Sequence, residues 1–303
     1  MRTIHHSLRT FAGAAAAATV LAFVAACNND KGTAPATPML SQAQAESLAT
    51  TVLADISGEI GTATMDGAGG LAATASFDAS APAGSATATQ CMPAESPTPV
   101  VNTDGDGVPD SVRFDYAGCV ISHPLSTDSL SGTIDLIDPT KSTADHAVKR
   151  VFTDFKVVTV HLISGANSSV TENGTRMASH DGTTLQSSET NFRTDFVFAK
   201  GSTAEHVRTW ESIFTADVAG SIMRDALLPS GTWSVNGTSS WTRGSRSYSL
   251  TVTTNPALHY NASCTDAPRF DAGKITAVVV RGANTMTVSI EFTACGVYTV
   301  TRS

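Results

Sequence analysis

No motif in this 303-residue chain sets a nucleophile beside a base or a phosphate in a glycine cradle. Gly-x-Ser-x-Gly, His-Glu-x-x-His, the Walker loop and Gly-x-Gly-x-x-Gly are all missing. That removes the usual sequence-local routes to hydrolase, zinc-protease and nucleotide chemistry. Positive charge is scarce, since 19 Lys+Arg stand against 27 Asp+Glu, and Arg2 and Arg9 are the only charges before Cys27. From Cys27 onward the balance is −10, and so acidic a chain offers no footprint for a phosphate backbone; no nucleic-acid partner is expected. Beyond residue 26 no apolar run approaches the ~20 residues that span a bilayer. There is no Cys-x-x-Cys pair, and the histidines at 123, 146, 161, 180, 206 and 259 show no metal-ligand spacing, so a zinc site has no support.

What is present begins at the N-terminus. Arg2 and Arg9 precede an apolar stretch, Phe11 to Val24, too short to span a bilayer and closed by Val24-Ala25-Ala26-Cys27. This resembles the signal of bacterial lipoproteins. The resemblance implies removal of residues 1–26, a diacylglycerol on the Cys27 thiol, acylation of the new amino terminus with fatty acid such as palmitate, and the membrane as a partner through that anchor. In well-studied members of that class Asn28 after the cysteine favours the outer membrane. The alternative is an ordinary secretory signal cut nearby. Residues 27–40, polar and carrying Pro35 and Pro38, then form a flexible tether.

Residues 41–90 divide in two. Ser41 and Gln44 make a capping box, and Leu48, Val52, Ile56 and Ile60 recur at i+4 with Leu53 beside them, predicting a helix over 41–57 whose stripe packs on a sheet. Gly58 to Gln90, rich in Ala, Gly, Ser and Thr, reads as loop or weak strand, with Leu71 to Phe77 the segment to pair with a sheet. From 91 to 303, Thr/Val/Ile/Phe-rich runs alternate with period two. Phe192, Thr194, Phe196 and Phe198 share one face, as do Trp233, Val235, Gly237, Ser239 and Trp241, and Met286, Val288, Ile290 and Phe292. The expected fold is mostly β: a large antiparallel sheet curled into a sandwich or partly open barrel, with one N-terminal helix. Asn173-Gly174 and Asp181-Gly182 are predicted hairpin turns, Arg243-Gly244-Ser245 a third, and Asn236-Gly237 could split the tryptophan strand. Val148 to Ile163 is long enough to need a bulge. Asp217 to Leu228 is either a short helix or a long loop.

Apart from Cys27 four cysteines remain, an even number that reads as disulfides in an exported chain. The segment ending at Cys119 (Val112 to Gly118) aligns without gaps to that ending at Cys295 (Val288 to Ala294), each an apolar-faced strand about 30 residues after another cysteine. Pairing Cys91 with Cys119 and Cys264 with Cys295 follows from that match.

One segment has the pattern of a metal loop. Asn102, Asp104 and Asp106 offer oxygens at alternate positions, Gly107 allows a sharp turn, Val108 offers a carbonyl and Asp110 a further acid, the donor set of a hard cation such as calcium. The nine residues resemble thrombospondin type 3 calcium repeats, and lying between Cys91 and Cys119 they suit a structural clamp. Trp210, Trp233, Trp241, Tyr248 and Tyr260 could line a groove or simply pack. The expectation is a non-enzymatic, lipid-anchored envelope protein whose β-domain binds an unidentified protein or glycan, or is structural. A carrier of lipid or another apolar ligand is the first alternative, and a hydrolase assembled from distant strands the second.

Overall fold

The computed structural model describes residues 40–63, 93–141, 146–223 and 226–303. Among them is one helix, α1 (Gln42–Ala63), and fourteen strands: β1 (Ala94–Ser96), β2 (Ser111–Asp115), β3 (Cys119–Ser122), β4 (Ser126–Ile137), β5 (His146–His161), β6 (Asn167–His180), β7 (Thr184–Val197), β8 (Thr203–Ala216), β9 (Gly231–Arg243), β10 (Arg246–Thr254), β11 (Leu258–Tyr260), β12 (Phe270–Arg281), β13 (Asn284–Ala294) and β14 (Val297–Arg302). All belong to one antiparallel sheet that follows chain order closely: β2 and β3 share one edge of β4, and β11 sits between β9 and β12. The sheet is mostly β as the alternation predicts, and β9 is continuous through Asn236-Gly237.

Helix α1 begins where the capping box places it. Ser41 N–H donates to Gln44 Oε1 at 2.7 Å and Gln44 N–H to Ser41 Oγ at 3.2 Å, satisfying two otherwise orphan donors. It runs to Ala63, six residues beyond the expected end, because i→i−4 bonding continues past Gly58 and Gly61; single glycines weaken a helix without stopping it. Leu71 to Phe77 lie outside the described residues. Ala45, Leu48, Ala49, Val52, Leu53 and Ile56 are buried, in contact with β6 and β7 on one side and β13 and β14 on the other. The sheet therefore curls round its own helix as a partly open barrel. Gln42 Nε2 donates to the Val300 carbonyl at 3.1 Å, and Arg302 Nη1 donates to the Leu40 carbonyl, fixing the start of the helix to the last strand.

A line of irregular backbone crossing β4 to β7 bends the sheet. Register shifts fall at Gly132 on β4, Asp154 on β5, Asn173-Gly174 on β6 and Asn191 on β7. Asp154 and Asn191 take positive φ (48° and 47°), which asparagine and aspartate tolerate better than other side-chain-bearing residues. Each bulge adds a residue on one strand and steepens the local twist, so several in a row bend the whole sheet. Asn173-Gly174 is thus not a hairpin turn. A Cβ on Gly174 would lie 2.8 Å from Phe192 Cα, so this glycine is needed for close strand approach inside β6. The bulge expected in Val148 to Ile163 is the one at Asp154. Asp181-Gly182 and Arg243-Gly244-Ser245 do turn the chain, between β6 and β7 and between β9 and β10. Residues 217–230 form no helix among those described.

Two apolar clusters fill the concave side. The larger joins α1 to β7–β13 and holds Trp233, Val235, Phe214 and Phe270 at 0% exposure; the smaller joins β2–β5 to Phe192. Disulfide Cys264–Cys295 ties the β11–β12 connection to the end of β13. Cys91 lies outside the described residues.

Candidate metal centre

The two ends of the sheet differ in chemistry. At one end five connections, 123–125, 162–166, 198–202, 243–246 and 281–284, contain no Asp or Glu. At the other, Asp104, Asp106, Asp110, Asp138, Asp181 and Asp217 are all found in the connecting segments. The acidic end holds the site.

The 102–110 loop is built from its own carboxylates and amides. Gly105 N–H donates to Asn102 Oδ1 (2.7 Å), Asp106 N–H to Asp104 Oδ1 (3.3 Å) and Val108 N–H to Asp106 Oδ1 (2.6 Å). Each carboxylate so used keeps its second oxygen for something else. Those second oxygens meet: one ligand atom each of Asp104, Asp106 and Asp138 lies within 4.8 Å of the others, an arrangement that could hold a metal ion. Asp138 stands just beyond β4. The β2/β4 register, Ser111 opposite Ile137, brings it beside Asp110, whose carbonyl accepts from Asp138 N–H at 3.3 Å.

Burial makes the convergence chemically demanding. Asp106 and Asp138 are 7% and 4% exposed, Asp138 Oδ1 accepts from Thr140 N–H at 2.9 Å, and among the described residues none donates a hydrogen bond to Asp138 Oδ2 or Asp104 Oδ2, both buried. Asp106 Oδ2 faces His146 Nδ1 at 3.6 Å, and Lys141 Nζ stands 4.0 Å from Asp138 Oδ2. A buried carboxylate oxygen without a donor is costly unless a cation supplies the missing charge. Carboxylates only are a hard-oxygen donor set, suited to calcium or magnesium rather than zinc.

Of the residues expected as ligands, Asp104 and Asp106 join the cluster. Asn102 Oδ1 is engaged by Gly105. Asp110 is engaged by Thr103, through both N–H and hydroxyl, and by Lys141 Nζ at 3.0 Å; these bonds pull its carboxyl down to about 2. Val108 is buried under the loop with its N–H on Asp106. Asp138 had no signal within the loop. It belongs to the cluster through a strand register that only the folded sheet defines.

Two other polar constellations lie elsewhere. On the concave face Glu189, 2% exposed, is held by Arg176 Nε (2.7 Å) and Arg208 Nε (2.7 Å), and Arg208 Nη1 lies 3.7 Å from Asp55 of the helix. Arg176 also lies 3.8 Å over the Phe192 ring. Burial, with Glu189 nearby, pushes the Asp55 carboxyl up to about 6 against the opposing pull of Arg208. Beside this network His206 Nε2 and Ser239 Oγ are 2.7 Å apart, a base within reach of a hydroxyl, and both are buried at 3% and 2% exposure. Burial and the neighbouring Arg208 keep the His206 imidazole neutral.

At the acidic end His259 bridges Asp271 (Nδ1 to Oδ1, 2.6 Å) and Asp217 (Nε2 to Oδ2, 3.2 Å), latching the 217–230 segment to the sheet. The Asp271 bond, then Asp217, raise its pKa above the usual histidine range. A raised folded-state pKa gives stability that is fully present below about 6.5 and lost as pH rises through the folded value. Asp271→Asn is therefore expected to cost at most about 1 kcal/mol more at pH 5.5 than at pH 9, given the partial exposure, as read by urea unfolding at the two pH values.

Comparison with protein-family models, curated proteins and solved structures finds no match to this chain.

Proposed function

We propose that the chain is a lipid-anchored, non-enzymatic protein of the bacterial envelope, anchored at Cys27 in the outer membrane, whose curled sheet presents a binding or structural surface and whose 102–110 loop is clamped by calcium. The observation that carries the clamp is the convergence of the Asp104, Asp106 and Asp138 carboxylates, two of them almost wholly buried, on one point. When bound, the ion adds positive charge beside that of Lys141 Nζ, 4.0 Å from Asp138 Oδ2, and pins the loop to the end of β4. Asp104 and Asp106 hold it from the loop and Asp138 from the sheet. The partner is a protein or glycan of the envelope. The carrier alternative needs an open apolar trough, and α1 fills the one this sheet makes, with Trp233, Val235 and Trp241 buried beneath it. That favours a surface module over a carrier.

Three carboxylates suit an affinity of ~10⁻⁴ to 10⁻³ M, so about 10 mM calcium added to chelator-treated protein is expected to stabilise it by roughly 1.4–2.7 kcal/mol. The measurement is the melting temperature at matched ionic strength, with Asp104→Asn/Asp138→Asn removing the gain. An unchanged melting temperature in the unsubstituted protein would refute the clamp. Anchoring is tested separately. In a Gram-negative host the protein should incorporate labelled palmitate, and label retained by Cys27→Ser would refute the anchor.

A further inference from the structure

The acid-free end of the sheet carries a pattern of its own. Its first two turns expose Leu125 (63%), Leu162 (58%) and Ile163 (84%), and are joined by Leu162 N–H donating to the Leu125 carbonyl at 3.0 Å. The next three turns carry Lys200, Arg243, Arg246 and Arg281. In a chain whose acids outnumber its bases, a row of cations with no acid in the turns themselves, continued by three exposed aliphatic tips, is a distinct surface; the acids Asp128, Asp195 and Glu205 stand behind it on the strands. Its chemistry matches one kind of partner, since aliphatic tips enter a lipid interface and clustered bases meet anionic headgroups. The opposite end also exposes apolar side chains, Val218, Met223 and Leu227, but among Asp181, Asp217 and the carboxylate cluster, where an anionic surface is repelled.

Chain geometry agrees. The Leu40 carbonyl accepts from Arg302, and Arg302 pairs with Val288, four residues along β13 from the turn at 281–284. That is ~13 Å from the turn end. Residues 27–39 can extend to at most ~45 Å, so a Cys27 anchor reaches a bilayer touching this end.

We infer that the row of turns rests on an anionic bilayer, with Leu125, Leu162 and Ile163 in the interface and Lys200, Arg243 and Arg281 on lipid phosphates. What keeps the protein near the bilayer rests on the anchor reading. The sheet then stands on its turns, and the acidic, metal-binding end points away from the membrane.

The test uses protein isolated from membranes, with the mass of its N-terminal peptide establishing whether Cys27 is acylated. Reconstituted into phosphatidylcholine vesicles with or without phosphatidylglycerol, it carries a fluorophore on Ile163→Cys or, at the opposite end, on Ala226→Cys. Spin-labelled lipid should quench the probe at 163 when phosphatidylglycerol is present and leave that at 226 bright. Lys200→Glu/Arg281→Glu should lower the phosphatidylglycerol-dependent quenching at least about tenfold, with melting temperature unchanged because Lys200 lies on a turn and Arg281 is the last residue of β12. Protein found unacylated is mixed with the same vesicles and sedimented; binding there refutes the anchor and leaves the inference standing. Acylated protein whose probe at 163 stays bright overturns the inference, as does preferential quenching at 226. Concentration-dependent dimers that shield residue 163 without lipid also overturn it, assigning the row to a second copy of the chain.

Discussion

Glu189→Ala is expected to cost about 3–5 kcal/mol in urea unfolding, the largest loss for any single side chain on the concave face. The carboxylate is 2% exposed and is the acid that both Arg176 and Arg208 approach at 2.7 Å. Without it two guanidinium groups share a desolvated pocket in which Asp55 stands 3.7 Å from Arg208 and Glu172 3.8 Å from Arg176. Asp55 is a poor substitute, because it stands 3.7 Å from Arg208, beyond hydrogen-bond distance. Glu189→Gln keeps an acceptor and the volume, and should cost less, about 1–3 kcal/mol. Replacing all three with apolar residues of similar size, as Arg176→Met/Glu189→Leu/Arg208→Met, should restore most of the stability, since well-packed apolar groups often match a buried ion network. A loss below about 1 kcal/mol for Glu189→Ala would mean that water or a rearranged acid satisfies the arginines.

Gly132→Ala should be nearly as damaging, about 3–5 kcal/mol, for a purely steric reason. The added Cβ would lie 2.1 Å from the Asp154 carbonyl oxygen, 2.4 Å from its carbon and 2.7 Å from Phe155 N, at a backbone φ of +88°. All three are main-chain atoms, so no side-chain rotation relieves the clash; the β4–β5 bulge has to open. Gly244→Ala is the control. It also has positive φ (+59°) but nothing within 4 Å, and should cost only the ~1 kcal/mol of left-handed strain. Equal losses at the two positions, read from thermal unfolding, would show that backbone conformation rather than strand approach makes Gly132 necessary.

The contrast between these glycines also shows what a linear reading can reach. Local rules were legible: the Ser41/Gln44 cap, the stripe through Leu48, Val52 and Ile56, the alternation that buries Trp233, Val235 and Trp241, and the Cys264–Cys295 bond. Asn173-Gly174 was misleading because a turn and a bulge both demand positive φ. The two differ only in whether a strand continues on either side, and β6 continues to His180. The interior ions were hidden differently. Leu185, Ser187 and Glu189 alternate onto one face, but the bulge at Asn191 resets the phase so that Phe192 joins them, and no strict period of two predicts a glutamate beside that phenylalanine. Asp138 was invisible for want of register. Its place beside the 102–110 loop depends on which residue of β4 faces Ser111, a long-range choice set by packing.

The seat of α1 has a temporal consequence. Most strands pair with a neighbour in the chain, so the meander can zip up through short loop closures, each hairpin templating the next. The helix is the exception. It precedes every strand, yet its seat needs β6 and β7 on one side and β13 and β14 on the other, and its first turn is fastened to Val300 and Arg302. A chain made from its N-terminus presents this segment first and completes its binding surface last. Docking of α1 is therefore the closing event of folding. Until the final strand is in place Leu48, Val52 and Ile56 have nowhere to go, and the nascent chain carries them exposed.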